Sequence, residues 1–96
     1  MVVSLRMTSK MSTKIVRATS AQIAGAREFL RMTQVQLAKA AGVSITTVNM
    51  FESGNRAPHE STREKLQASL EARGIVFTNG DKPGFHFDKD KVIIPA

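Results

Sequence analysis

The chain has 96 residues, 14 Lys and Arg against 8 Asp and Glu, a formal net charge of +6, and no cysteine. That length holds one small domain with its tails; the missing thiols exclude disulfides, thiolate metal sites and a cysteine nucleophile, a usage that suits the cytoplasm. No apolar run approaches the ~20 residues of a membrane-spanning helix, and the basic, Met-containing N-terminus lacks the apolar core of a signal peptide.

The charge is unevenly spread. Residues 1–19 hold four basic residues and no acid, residues 20–74 hold seven and five, and residues 75–96 hold three of each. A basic tail beside a mildly basic domain suits a polyanionic partner; a merely solubilising tail explains the charge equally well.

In chain order, residues 1–18 are polar, basic and irregular, as expected of a flexible N-terminal extension, with room for a brief strand at Lys14–Ala18. Thr19 to Gln22 form a T-x-x-Q capping box that opens a first helix. This helix is expected to reach about Arg31, with Ile23, Ala26, Leu30 and Phe29 on its apolar stripe. Gly25 weakens it and suggests close approach of another helix. A second box, Thr33 to Gln36, opens a helix over Gln34–Ala41. Gly42 stands where that helix must stop and reverse, and Ser44 offers an N-cap hydroxyl to a helix over Ile45–Ser53. Leu37 and Ala41 share one face of the second helix, and Val48 and Phe51 one face of the third. Pro58 favours an extended loop before it. Ser61 to Glu64 read as a third capping box, so a fourth helix is expected near Ser61, with Leu66 and Leu70 buried and Arg73–Gly74 at its end. After Gly74 the period changes to alternation. Three short strands are expected, near 75–78, 84–88 and 91–94, with Asn79–Gly80 and Asp88–Asp90 as turns.

Gln34, Leu37, Ala38, Ala41, Gly42, Val43, Val48 and Phe51 are spaced as in the helix-turn-helix of the lambda repressor/Cro-like (XRE) transcription regulators, which this chain resembles over residues 19–74 without a gap. The segment GIVFTNGDKPGFHF also resembles the tail of a bacterial subgroup of these regulators. The resemblance implies a mainly α, four-helix DNA-binding domain at residues 19–74. Residues 75–96 would add a small β hairpin or meander as the dimerisation element.

A reader of this kind lays its third helix in the major groove. With Val48 and Phe51 inward, Ile45, Thr46, Asn49 and Met50 face out as candidate base contacts. Asn pairs with adenine, while Thr, Ile and Met touch thymine methyls, a set that leans towards A·T-containing sites. The competing reading is a solvated polar helix face. By resemblance, Gln34, Asn55 and Arg56 contact backbone phosphate; Ser44 and Thr47 add hydroxyls, and Lys39 and Arg31 stand at the edges, where Lys39 reads equally well as a solvated helix residue. Between Val43 and Ser53 the sequence departs from many relatives in having no basic residue. The resemblance also pairs Arg27 with Glu52 as a structural ion pair, where the plainer reading is two surface charges.

Enzymatic activity is the poorest reading. The only histidines, His59 and His86, lack metal-ligand spacing, and His59–Glu60 is not followed by the second His of a zinc-protease helix. No cofactor, metal or small-molecule inducer is expected. The sequence points to a cytoplasmic, nucleoid-associated bacterial regulator, a homodimeric repressor on double-stranded DNA with an inverted-repeat operator. The alternative is a protein-interaction module on the same fold, an anti-activator or antitoxin that masks another protein.

Overall fold

The computed structural model describes residues 16–54 and 59–95. It is mainly helical: α1 (Ser20–Phe29), α2 (Gln34–Ala41), α3 (Ile45–Ser53) and α4 (Glu60–Glu71) precede a two-stranded antiparallel hairpin, β1 (Arg73–Thr78) and β2 (Gly84–Val92).

The local signals set the helix starts. The Thr19 hydroxyl accepts from the Gln22 backbone N–H at 3.2 Å, and the Gln22 side chain accepts from the Thr19 N–H at 2.9 Å. Thr33 and Gln36 repeat the exchange at 3.0 and 2.8 Å. Each box satisfies donors that a helix N-terminus otherwise leaves open. Gly42 ends α2 with a left-handed backbone at φ 74°, which lets the chain reverse within three residues.

Ile23, Leu37, Val48, Leu66, Leu70 and Ile75 are fully enclosed, with Ala26, Ala38, Phe51 and Phe77 closing the core around them. Each large aliphatic side chain so buried contributes about 1.5–3 kcal/mol relative to an exposed one. The small Ala38 allows α2 and α3 to approach. On the hairpin, Ile75 pairs with Phe87 and Phe77 with Phe85, so these four share the face turned to the helices.

Several expectations are corrected. α1 stops at Phe29, and Arg31 takes a left-handed backbone at φ 60°; the turn into α2 begins two residues early. α4 begins at Glu60, with His59 as an N-cap whose side chain makes no capping bond. Ser61 therefore lies inside the helix, and the Glu60 carboxylate is bound instead by Arg63 and by Arg17. α4 ends at Glu71, before Arg73 and Gly74. Gly25 admits an aromatic ring and not a helix, since a Cβ there would lie 3.3 Å from Phe85.

The third strand does not form. β2 runs on through Asp88–Asp90 as an irregular bulge, in which the Asp88 carboxylate accepts from the Asp90 N–H at 3.0 Å. Ile93 and Ile94 then turn back, both donating their N–H to the Ala72 carbonyl. Residues 16–18 form no strand; positions 14 and 15 lie outside the described residues.

Candidate nucleic-acid interface

Helix α3 buries Val48 and Phe51, three positions apart, against α1 and α2. At 100° per residue this turns Ile45, Thr46, Asn49 and Met50 outward, and all four are exposed. Ile45 and Met50 remain 42% and 38% exposed. Ser44 caps the helix by accepting from the Thr47 N–H at 3.0 Å, and its hydroxyl lies 2.8 Å from that of Thr47. These two hydroxyls sit at the helix N-terminus, where partial positive charge favours an anion. The only ionisable side chain of α3, Glu52, is turned inward, which leaves the outer face without formal charge.

Glu52 is the centre of a buried polar lock. Arg27 of α1 grips it in bidentate fashion, Nε to Oε2 at 2.7 Å and Nη2 to Oε1 at 3.0 Å. The two side chains are only 12% and 7% exposed. Arg27 Nη1 also donates to the Met32 carbonyl at 2.7 Å, which ties in the α1–α2 turn. Chiefly through its hydrogen bonds with Glu52, the Arg27 guanidinium is held above its ordinary pKa. The lock continues outward: Gln34 Nε2 donates to Glu52 Oε1 at 3.0 Å, and Asn49 Nδ2 donates to Gln34 Oε1 at 3.5 Å. Arg27, Glu52, Gln34 and Asn49 are thus one chain of contacts from the core to the exposed face of α3. A fixed first helix, a fixed Gln34 and an oriented Asn49 follow from the same set of bonds.

Asn55 and Arg56 lie outside the described residues. Lys39 and Arg31 are exposed. Among the described residues no His, Cys, Asp or Glu side chains gather in threes to hold a metal ion, and no helix is long and apolar enough to cross a membrane.

Two glutamines have roles that local reading missed. Gln22, besides capping α1, donates through Nε2 to the carbonyls of Thr78 and Gly84, both at 2.8 Å; it clamps the tip of the hairpin onto α1. Gln67 accepts from the Ala18 N–H at 3.0 Å and donates to the Val16 carbonyl at 2.7 Å, so residues 16–18 are held along α4. Their one sequence signal is a polar residue on an otherwise apolar helix stripe, which says that a partner exists but not where.

A family model described as helix-turn-helix matches residues 23–71, half of the chain. No curated protein matches it. The matched span begins in α1 and ends with α4, and so contains the capped turn, the lock and the exposed face of α3. With that geometry and that match, the chain belongs to the helix-turn-helix family of lambda repressor/Cro-like (XRE) kind, a DNA-binding domain of the transcription-regulator type.

Proposed function

We propose that the protein is a sequence-specific repressor that binds an inverted-repeat operator as a dimer, in the cytoplasm of a bacterium. The observation that carries this is the outer face of α3: Thr46 and Asn49 flanked by exposed Ile45 and Met50, free of formal charge, on a helix locked from behind by Arg27 and Glu52. Base edges are read by such side chains, while affinity for phosphate comes from the surroundings. In this reading Gln34, Ser44 and Thr47 bind one stretch of backbone, and Asn55 and Arg56 bind another.

The hairpin supplies the dimer contact. Phe29 and Phe87 pack at 5.9 Å between ring centroids yet stay 54% and 43% exposed, and Ile93 and Ile94 are 80% and 46% exposed. Covering these side chains is favourable, and a second copy would do so. Two copies would present α3 to half-sites about 34 Å apart.

The test is binding to a selected DNA pool at several salt concentrations. Asn49→Ala and Thr46→Ala should each cost ~1–3 kcal/mol and relax the preference at one base position. Arg56→Ala should weaken all sequences alike and flatten the log-affinity against log-salt slope by about 1. Unchanged affinity and preference in both α3 variants would refute base reading by this helix. Failure of the wild type to select any sequence would transfer the face to a protein partner, the masking role.

A further inference from the structure

A groove of roughly 450 Å³ runs over the back of α2, lined by Leu30, Arg31, Met32, Gln36, Lys39, Ala40 and Arg73. It contains three cations and no acid. Among the described residues neither Arg31 nor Lys39 is paired with a carboxylate, and Arg73 donates to the Ser69 carbonyl and hydroxyl at 2.8 and 3.1 Å. Leu30 and Met32 are half-buried against the core and form an apolar floor. Arg31 stands at the exit of α1 with φ 60°, the one non-glycine residue described with a positive φ. Glycine or asparagine suits that position far better. Arg31 thus carries its cation into the groove at a cost in backbone strain.

From this juxtaposition the geometry points to a docking groove for an acidic segment of another protein. Carboxylates would lie across Arg31, Lys39 and Arg73, and one apolar side chain would rest on Leu30 and Met32. The occupant follows from three observations. Gln34 points towards α3, where it binds Glu52; Gln36, Lys39 and Ala40 lie roughly 140 to 240° around α2 from it. Gln36, Lys39 and Ala40 therefore face away from DNA lying along α3, which takes Lys39 from the edge position expected for it. A second copy of this chain offers no acidic segment, because a basic residue separates every two successive acids in the sequence. A small anion would leave the Leu30–Met32 floor uncovered, whereas a segment that carries carboxylates and one apolar side chain matches both the cations and the floor. The site stands independently of the proposed repressor activity.

The probe is a short dye-labelled peptide of Glu and Leu, titrated into the full chain by fluorescence polarisation, with amide shifts mapped by NMR. Shifts should centre on Leu30 to Met32, Gln36, Lys39 and Arg73. The double variant Arg31→Gly with Lys39→Ala should lose about tenfold in affinity, as two exposed ion pairs allow. The charge-matched double variant Lys65→Ala with Lys82→Ala should stay within about twofold of wild type. Glycine fits the left-handed backbone at 31, so the groove variant should melt no lower than wild type, and its loss is then one of binding. Equal losses in the two double variants would overturn the proposal in favour of diffuse charge attraction. Displacement of the peptide by duplex DNA, with shifts at Thr46 and Asn49, would overturn it in favour of a nucleic-acid surface. Competition by inorganic phosphate as strong as by unlabelled peptide would reduce the groove to a small-anion site.

Discussion

The helix-turn-helix and the hairpin are both fastened by side-chain hydrogen bonds, but over different distances along the chain. In the helices, Thr19 with Gln22, Thr33 with Gln36 and Ser44 with Thr47 each span three residues. The hairpin is fastened by Gln22 across 56 and 62 residues, to Thr78 and Gly84. Short-range bonds form as the helix forms and cost little additional chain entropy, whereas long-range bonds require the core to assemble first. The helical part is therefore specified residue by residue, and the hairpin largely by what it is packed against. Arg27–Glu52 stands between them, at a separation of 25 residues.

The largest effect expected is at that intermediate bond. Arg27→Ala leaves the Glu52 carboxylate buried without its partner and should cost ~3 kcal/mol in chemical denaturation. Replacing both, Arg27→Met with Glu52→Leu, should restore much of that stability while still weakening DNA binding, because Gln34 loses its anchor. A loss below about 1 kcal/mol in the single variant would place these among surface charges.

Gly74→Ala tests the hairpin half. Gly74 has φ +97°, and a Cβ would lie 2.6 Å from the Phe87 ring, 2.8 Å from Val92 and 3.0 Å from the Asp88 carbonyl. The backbone strain alone is of order 1–3 kcal/mol. Stability should fall by about 2 kcal/mol with helical circular dichroism retained below the melt. Unchanged stability would mean that the bulge opposite Gly74 yields freely.

Gln22→Glu separates the two roles of one residue. The carboxylate still accepts from the Thr19 N–H, so the cap survives, but it can no longer donate to Thr78 and Gly84. A loss of ~1–3 kcal/mol is expected, with NMR shift changes concentrated at the hairpin tip. Changes confined to the first turn of α1 would show that the cap, and not the clamp, mattered.

The smallest effect belongs to the exposed start of α4. The hydrogen bond from Arg63, aided by attraction to Arg17, lowers the Glu60 pKa from the ordinary 4.5. A carboxylate with a lowered folded-state pKa stabilises the fold fully above its unfolded value, and that contribution disappears as pH falls through the folded value. A carboxyl titration by NMR should give a midpoint below 4.5; one at or above it would remove the contact from solution.

Much of the helical part was legible because its signals are local. Two capping boxes, Gly42 and Ser44 set three helices and the turn without reference to the rest of the chain. Ser61 misled for a related reason. The S-x-x-E pattern is present, but Glu60 is engaged by Arg17, forty-three residues away, and by Arg63, and the helix starts one residue earlier. The third strand failed because alternation and β-branched residues at 92–94 do not encode a partner; the Ala72 carbonyl took the N–H groups of Ile93 and Ile94. Thr46 and Asn49 could be placed on an outward face from the burial of Val48 and Phe51 alone. Arg27 and Glu52 needed the family pattern to be joined, and the cationic groove brings together Arg31, Lys39 and Arg73 from three separate elements.

The doubly accepted Ala72 carbonyl has a consequence for how the molecule opens. The hairpin is pinned at its tip by Gln22 and at its base by Ala72, with N–H to O distances of 2.7 and 2.9 Å at the latter. Peeling from either end must first break one of these bonds, so strands and helices are expected to open as one cooperative unit in amide hydrogen exchange. A ligand that binds the native state raises the free energy of every opening that destroys its site. DNA held on α3 would then slow exchange at Val76 and His86, in the middle of a sheet it never touches.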